Sequence, residues 1–495
     1  MGNKRNKTRR IGSRAAPKIG AKIRRLRRNK GLSQAALADR LQVSASYLNL
    51  IEHNRRRVTV TILLQLSEIF EIGPSELAED DESQLSADVM EVLSNDLFEE
   101  LDLTNVDVRE LITASPNSAK ALLKLFDAYH ATQIDVRSLS AKITDVRPPE
   151  ISKALPPAEQ VSDFLQANSN YFQALEDAAA KVNRDINELR ERTENNDALT
   201  SYLCSYYLLE THGVNVAFVS LEGRTGFQRR FDPKRRVLEI SERTSFDSRK
   251  FQIAHQIGLL SSSATIETLL DQNRIKDKRA RVLGRVALAN YFAAALIMPY
   301  ERFLEKVKSA RYDIEFLQHH YGASFEQVCH RMTTLNRPDA RGVPLHMLRV
   351  DIAGNNSKRF SLSGLPIPRH GGACVRWNVY SAFMEPGVLK AQVSRLPDGM
   401  AYFCIARTVR KAGVGFGMPY RFLSIGLGCE VRHANEFVYS DTIDLERPEH
   451  FQEIGVSCRT CERMDCTQRA SPPVNVPYHL DENVRAHSPY VAALD

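Results

Sequence analysis

Acid is what the first part of this sequence lacks. Residues 1–57 hold 17 Lys and Arg against two carboxylates, Asp39 and Glu52, a local charge of +15. The whole chain carries +7, so residues 58–495 carry −8. A basic head on a mildly acidic body is the electrostatic footprint of a nucleic-acid reader. Long hydrophobic runs are missing as well. No stretch of about 18 apolar residues occurs, so no transmembrane helix is expected. The N-terminal MGNKRNKTRRIGSRAAPK has no apolar segment behind its charges, which argues against a secretory leader. Gly2 follows Met1, but Asn6 stands where N-myristoylation wants Ser or Thr. A cytoplasmic chain of several domains is expected from these absences and from its 495 residues.

Catalytic signatures are also lacking. No Gly-rich phosphate loop, nucleophile elbow or Ser/His/Asp arrangement is present. The nearest thing is FQIAHQIGLL, Phe251 to Leu260, which has the frame of the zinc-protease motif H-E-x-x-H without its chemistry. His255 is in place, but Gln256 replaces the general base and Leu259 the second His. One imidazole cannot hold a catalytic zinc, which needs three protein ligands and an open position. No catalytic residue is therefore assigned, and the chain is expected not to be an enzyme.

What the basic head does contain is capped helices. Ile19, Ile23 and Leu26 recur at helical spacing, and Gly31 ends that helix. Ser33 then caps a second helix with Leu37, Ala38 and Leu41 inward, and Ser44 a third with Leu48 and Ile51 buried. Leu63, Leu66, Ile69 and Phe70 supply closing helices. Two short helices joined by a tight turn, the second bearing small polar residues, suit a DNA major groove. Residues 71–112 are acid-rich, with Leu85, Val89, Val92, Leu93 and Leu97 at helical spacing. A linker with a dimerisation helix fits this pattern, and so does an intramolecular helix. Because such readers meet paired half-sites, a homodimer or higher oligomer is expected.

From Pro156 amphipathic helices run through Leu203. A strand over Val214–Ser220 follows, then a hairpin turning at Asp232-Pro233 and an apolar helix from Ala287 stopped by Pro299. The aromatic residues Phe164, Tyr171 and Phe172 and the basic hairpin residues Arg229, Arg230, Lys234, Arg235 and Arg236 are candidate lining for a phosphate-bearing ligand with a flat ring. A coenzyme A ester is of that kind. A solvated hairpin face beside a core stripe is the alternative.

Six of the eight cysteines fall after residue 370. Cys458, Cys461 and Cys466 form C-x2-C-x4-C, a spacing that brings thiolates round one ion. The fourth ligand is assigned to Cys374, which two glycines precede and Trp377, the single tryptophan, can shield. Cys429, with His433 behind it, is the rival. Four thiolates accept zinc or a [4Fe–4S] cluster, and free or redox-active thiols are the alternative. Alternating apolar residues with Gly, Pro and Asp-Gly turns between 351 and 440 indicate an antiparallel sheet domain.

Several stretches carry resemblances. Leu32-Ser33-Gln34, Ala38, Leu41, Val43-Ser44 and Leu50-Ile51-Glu52 resemble the Cro/cI-like helix-turn-helix of XRE regulators. That resemblance implies Gln34 at a backbone phosphate, Ser46, Tyr47 and Asn49 at base edges, with Ser44 in the same DNA-facing set. It puts Arg55, Arg56 and Arg57 against phosphates, and the tail from Lys4 to Arg14 could reach along the groove as an arm. The order of hairpin, AH-x-x-G helix and NYFAAALIMP helix resembles an ImmA/IrrE-type zincin domain whose third ligand, a Glu, is absent: Gly284 to Ala295 contains no acid.

With LPDGMAYFCIARTV, GGACVRWNVYSAF and CRTCERMDCTQRASPP added, the chain from about Ile19 to Pro473 resembles the XRE-type short-chain fatty acyl regulators of propionate, methylcitrate and glyoxylate genes. The resemblance implies a transcription factor whose affinity for double-stranded DNA responds to propionyl-CoA or acetyl-CoA, and an iron–sulfur cluster at the cysteine-rich end. A redox-sensing regulator and an ImmA-type metalloprotease are the alternatives. The expected fold is multidomain, mainly α with α+β parts. It comprises a basic tail (1–15), a helix-turn-helix bundle (16–75), acidic linker and helices (76–155), a degenerate zincin-like α+β effector domain (156–345), a β-rich cysteine-containing domain (346–480) and a tail (481–495).

Overall fold

The computed structural model describes residues 20–30, 32–52, 55–56, 58–70, 82–93, 95–101, 103, 105–140, 156–192, 200–220, 228–369, 372–411, 421–473, 488 and 490. Among these residues are 17 α-helices and three sheets, in two compact units, Met1–Ser83 and Gln84–Asp495.

The first unit is a helical bundle of α1 (Gly20–Asn29), α2 (Gln34–Arg40), α3 (Ala45–Glu52) and α4 (Val60–Phe70). Ser33 and Ser44 cap α2 and α3 as expected, their hydroxyls accepting the amides of Ala36 and Tyr47 at 3.1 Å. Ile23, Leu37, Leu41, Leu48, Ile51 and Leu66 are fully or almost fully buried between the four helices. Among the described residues one helix closes the bundle: Ile62, Leu66 and Phe70 recur every fourth residue and face the core, leaving Leu63 and Ile69 at its margin.

The second unit begins two residues into α5 (Glu82–Leu93), and this helix, α6 (Asn105–Ala114) and α7 (Pro116–Ser140) have their own small core around Val89, Val108, Ile112 and Ala119. They are followed by α8 (Pro157–Ala167), α9 (Gln173–Arg192) and α10 (Thr200–His212). A three-stranded sheet comes next, with β1 (Asn215–Val219) parallel to β3 (Val237–Ser241) and β2 (Arg229–Asp232) antiparallel to it. Then come α11 (Phe246–Ser261), α12 (Ser263–Gln272), α13 (Lys278–Ile297), α14 (Tyr300–Ser309), α15 (Ile314–Tyr321) and α16 (Phe325–Met332).

Helix α13 is the axis of this region and packs against α8, α9, α11, α12 and α16. It is apolar and long enough to cross a membrane by length and composition, yet 61% of its most apolar window is buried against these neighbours. Small residues explain the packing: Ala289, Ala293 and Ala295 let partners approach, and a Cβ on Gly258 of α11 would lie 2.8 Å from Phe292. Pro299 ends α13, as expected, and stands before the first residue of α14, although α13 begins at Lys278, ahead of the expected Ala287.

After a short hairpin, β4 (Asn336–Arg337) and β5 (Ala340–Arg341), the chain builds a six-stranded sheet. Its strands are β6 (Leu345–Asp351), β7 (Asn356–Ser361), β8 (Lys390–Arg395), β9 (Ala401–Lys411), β10 (Arg421–Glu430) and β11 (Gln452–Glu453). The spatial order is β11-β8-β9-β10-β6-β7, antiparallel except for β11 beside β8. The face bearing Phe403, Ile405 and Ile425 joins the helical core. The opposite face bears Tyr402, Ala406 and Leu348 and is covered by α17 (Asn378–Ser381) and the loop holding Cys374 and Trp377.

Candidate functional site

In the basic head, α3 buries Leu48, Ile51 and Glu52 and turns Ser46 and Asn49 outward, with Ser44 exposed at its cap. Tyr47 is half-buried, and the Arg56 guanidinium lies 5.9 Å from its ring centre. Arg55 and Arg56 are exposed just past the helix, while Arg57 and the Lys4–Arg14 arm lie outside the described residues.

Glu52, to which the sequence reading gave no role, is the hub beneath this face. Its carboxylate accepts Arg27 Nε at 2.7 Å and Gln34 Nε2 at 3.0 Å, and its carbonyl accepts Arg24 Nη2 at 3.2 Å. One buried carboxylate thus fixes α3 against α1 and α2. Gln34, expected at a phosphate, gives its side-chain nitrogen to Glu52 in this free protein.

In the zincin-like region, His255 of α11 is buried and its Nδ1 lies 2.8 Å from Asn290 Oδ1 of α13. Burial first, and then the nearby Arg229 charge, lower this imidazole to about 3, so it is neutral. Gln256, at the position of the missing base, accepts Arg229 Nη1 at 3.1 Å. Burial lowers Arg229 itself to about 10. Where a zincin holds a divalent cation, a guanidinium reaches in from β2, a fixed positive charge with no lone pair to give a metal.

Arg230 and Arg235 are exposed on the hairpin, whereas Phe164 is 4% exposed in the core, its ring 5.4 Å from that of Phe172. Tyr171 is half-buried and stands edge-on to Tyr300, with ring centres 5.8 Å apart. The expected effector residues therefore sit on different elements, and Phe164 serves packing rather than an open cleft.

At the other end, Cys374, Cys458, Cys461 and Cys466 line one cavity, together with Arg376, Glu453, Gly455, Arg463 and Arg469. The rival ligand Cys429 is buried in the core beneath the sheet, away from this loop. The cavity is held by backbone and by charge. Cys374 N–H donates to Val456 O at 3.0 Å and Trp377 Nε1 to Gly455 O at 3.0 Å. Arg469, 5% exposed, donates to the carbonyls of Cys458, Cys461 and Arg463 at 2.7, 2.8 and 2.6 Å.

Its Nε is buried without a partner, and among the described residues none of its hydrogen bonds reaches a carboxylate. A buried cation short of a counter-charge beside four thiols fits an anionic thiolate cage. Burial raises the Cys374 and Cys461 thiols. The amides of Gly455 and Arg376 act the other way on Cys374, and the amide of Arg463 with the charges of Arg469 and Arg463 on Cys461. In the described residues no three His, Cys, Asp or Glu side chains are drawn tightly enough round one point to hold an ion. The four cysteines share the lining of one cavity without meeting that condition. Arg469 lies within the stretch CRTCERMDCTQRASPP and Gly455 just before it, but the sequence gives neither a role, because each acts through the loop's closure.

Comparison with known proteins covers nearly the whole chain. Residues 23–77 match a helix-turn-helix family model, 209–333 the IrrE N-terminal-like domain, and 334–490 the short-chain fatty acyl coenzyme A regulator, C-terminal domain. The HTH-type transcriptional regulator RamB of Mycobacterium tuberculosis is 37% identical over 479 residues, 96% of this chain and 98% of that protein. A propionyl-CoA carboxylase regulator of Cereibacter sphaeroides is 36% identical, covering 95% and 98%. A solved structure titled Mycobacterium tuberculosis transcriptional regulator superposes with a TM-score of 0.62 at 34% identity, covering 68% of this chain and 99% of that one.

Proposed function

The chain belongs to the helix-turn-helix short-chain fatty acyl coenzyme A regulators, and on that footing we propose that a short-chain acyl-CoA sets its affinity for an operator. It is a DNA-binding transcriptional regulator. The observation that carries the effector reading is Arg229, a cation turned inward to Gln256 at the former catalytic position of a zincin-like domain. Such a site repels metal and attracts an oxyanion or a polarised carbonyl. Peptidase activity is not part of this reading, since Gln256 cannot act as the base and His255 has no second ligand on its helix.

In the head, Ser46, Tyr47 and Asn49 read bases, Ser44 caps their helix within the same DNA-facing set, and Gln34, Arg55, Arg56 and Arg57 position the backbone. A pair of such heads in a homodimer meets two half-sites. Gln34 releases Glu52 when a phosphate arrives. Acyl-CoA binding between about 156 and 345 alters the presentation of paired heads, a coupling of ~1–3 kcal/mol or about 5- to 150-fold in affinity.

Cys374, Cys458, Cys461 and Cys466 hold a [4Fe–4S] cluster or zinc, with Arg469 offsetting the cage's charge. A cluster would supply a redox-sensitive centre, whereas zinc would only cross-link the loop.

Isothermal titration of propionyl-CoA, acetyl-CoA and free CoA into anaerobically purified protein tests the effector reading. Saturable binding of an acyl-CoA supports it, and no heat with any of the three overturns it. A redox-sensing regulator is the second reading, favoured by the shared cysteine cavity. Loss of the DNA response in Cys461→Ser with acyl-CoA binding intact would establish it.

A further inference from the structure

Three neighbouring strands place His346, Gly428 and Cys404 in one row. Gly428 of β10 pairs with His346 of β6 on one side and with Cys404 of β9 on the other. Residues two strands apart stand about 10 Å from each other across a sheet. The His346 imidazole closes that gap because the middle residue has no side chain. A Cβ on Gly428 would fall 2.6 Å from both Cε1 and Nε2 of the ring. As a result His346 Nε2 lies 3.3 Å from Cys404 Sγ.

The other ring nitrogen, Nδ1, lies 2.8 Å from Ser363 Oγ, which also accepts the Leu365 amide at 3.3 Å. With Nδ1–H given to Ser363, Nε2 is left as the acceptor for the thiol proton. Tyr402 stands edge-on to the ring with centres 6.0 Å apart. Cys329 and Cys429 are wholly enclosed, whereas Cys404 is partly exposed as a residue but has a desolvated thiol packed beside the second core, so an acyl donor must reach it through that packing. A thiol, a base within reach and a third group orienting the base form the arrangement that activates a nucleophile for covalent chemistry. None of these residues lines the cysteine cavity.

We propose that Cys404 is an acyl acceptor, its thiol exchanging with the thioester of a short-chain acyl-CoA while His346 carries the proton. The inference rests on the effector reading above for the source of that thioester. Cys404 Sγ bonds to the acyl carbonyl carbon, and the carbon–sulfur bond to the coenzyme breaks. The thiol proton passes to His346 Nε2 and then to the departing coenzyme thiolate. One thioester replaces another, so no oxidant or reductant is consumed. Burial pushes the Cys404 thiol up to about 12 and the His346 imidazole down to about 3. The resting pair is thus uncharged, and the proton leaves in the same step as the attack. The acyl group would then stay on the regulator after the coenzyme has dissociated.

The test incubates full-length protein with acetyl-CoA and, separately, with an acetyl N-acetylcysteamine thioester that needs no coenzyme site. Acylation is located by peptide mass mapping. The expected result is one acyl group on Cys404, released coenzyme in equal amount, and no label in Cys404→Ser. His346→Asn should slow the reaction at least ~10²-fold.

Each reaction is also run on urea-unfolded wild-type protein, which needs no variant to fold. An activated thiol is acylated faster in the native state, and a merely enclosed one more slowly. Slower native labelling of Cys404, or no label from either thioester, overturns the proposal. Calorimetry of Cys404→Ala separates the two readings: acyl-CoA binding without acylation of the wild type sinks only this inference. Labelling by the small thioester with no acyl-CoA binding sinks only the effector reading.

Discussion

Arg331 and Glu176, 155 residues apart in sequence, form a two-pronged ion pair in the core, Nη1 to Oε1 at 2.6 Å and Nη2 to Oε2 at 2.9 Å. Arg331 has no exposed surface, its Nε donates to Met298 O at 3.0 Å, and Tyr291 OH donates to Glu176 Oε1 at 2.6 Å. The pair joins α9, α13 and α16 at the end of α13, where Pro299 leaves the Met298 carbonyl outside the helical ladder. Such a pair is specific in geometry and costly to halve.

Arg331→Met and Glu176→Gln are each expected to destabilise the second unit by about 3–5 kcal/mol, because each strands a buried charge. The double replacement Arg331→Met with Glu176→Leu should recover most of that loss. Urea unfolding of all three variants checks this. A double variant as unstable as the sum of the singles would contradict it.

Three imidazoles, His255, His330 and His346, are held near 3 by burial, against about 6.5 when exposed. Depressed histidines stay neutral in the fold and protonate first in the unfolded chain. Their stabilisation is complete above about pH 6.5 and is lost as pH falls from there toward 3. Each contributes a slope of about 1.4 kcal/mol per pH unit. Thermal unfolding between pH 7.5 and 5.5 should show a steep fall below pH 6.5, flattened by one imidazole's share in His330→Gln. A midpoint independent of pH would refute the assignment.

Glu52→Gln should loosen the head without touching its exposed face. Arg24 and Arg27 then lose the carboxylate's charge, and one of the two oxygens that Arg27 and Gln34 share becomes a donor, so operator binding should fall together with the head's melting temperature. Asn49→Ala should instead cost about 1–3 kcal/mol of operator affinity, and Arg55→Ala should lower the salt slope by about 1. Anisotropy titrations at three salt concentrations separate the three.

Gly455→Ala places a Cβ 2.7 Å from Cys461 Sγ and must shift that thiol. Loss of bound iron or zinc is expected, with acyl-CoA binding and nonspecific DNA binding retained. Full metal content in this variant would remove Cys461 from the ligand set.

The head and the cysteine motif were legible because their signals are local. Ser33 and Ser44 caps, helical spacing and C-x2-C-x4-C all lie within a few residues of one another, and two glycines pointed to Cys374. The departure of the zincin-like helix from H-E-x-x-H was legible for the same reason, through Gln256 and Leu259. What the sequence hid depends on distant pairing. Nothing near Glu52 marks it as a hub, nothing near Glu176 names Arg331, and the His346–Gly428–Cys404 row exists only once strand register is known.

The same holds for Arg369, a few residues before Cys374. Its amide donates to Glu91 at 2.8 Å, and its side chain donates to Asp88 at 3.2 Å and to Asp163 at 3.0 Å. It clamps α5 and α8 to the strand-end loop that leads to the cysteine cavity. Arg369→Ala is expected to leave acyl-CoA binding intact and to blunt its effect on DNA. Equal coupling in variant and wild type would exclude the clamp as a route.

The central claim is that one chain couples an acyl-CoA to an operator. Operator affinity measured by fluorescence anisotropy, with saturating propionyl-CoA, acetyl-CoA, free CoA or none, tests it most directly. A shift of about 5- to 150-fold with an acyl-CoA, absent with free CoA, is the expected result. The same dissociation constant in all four would contradict the account.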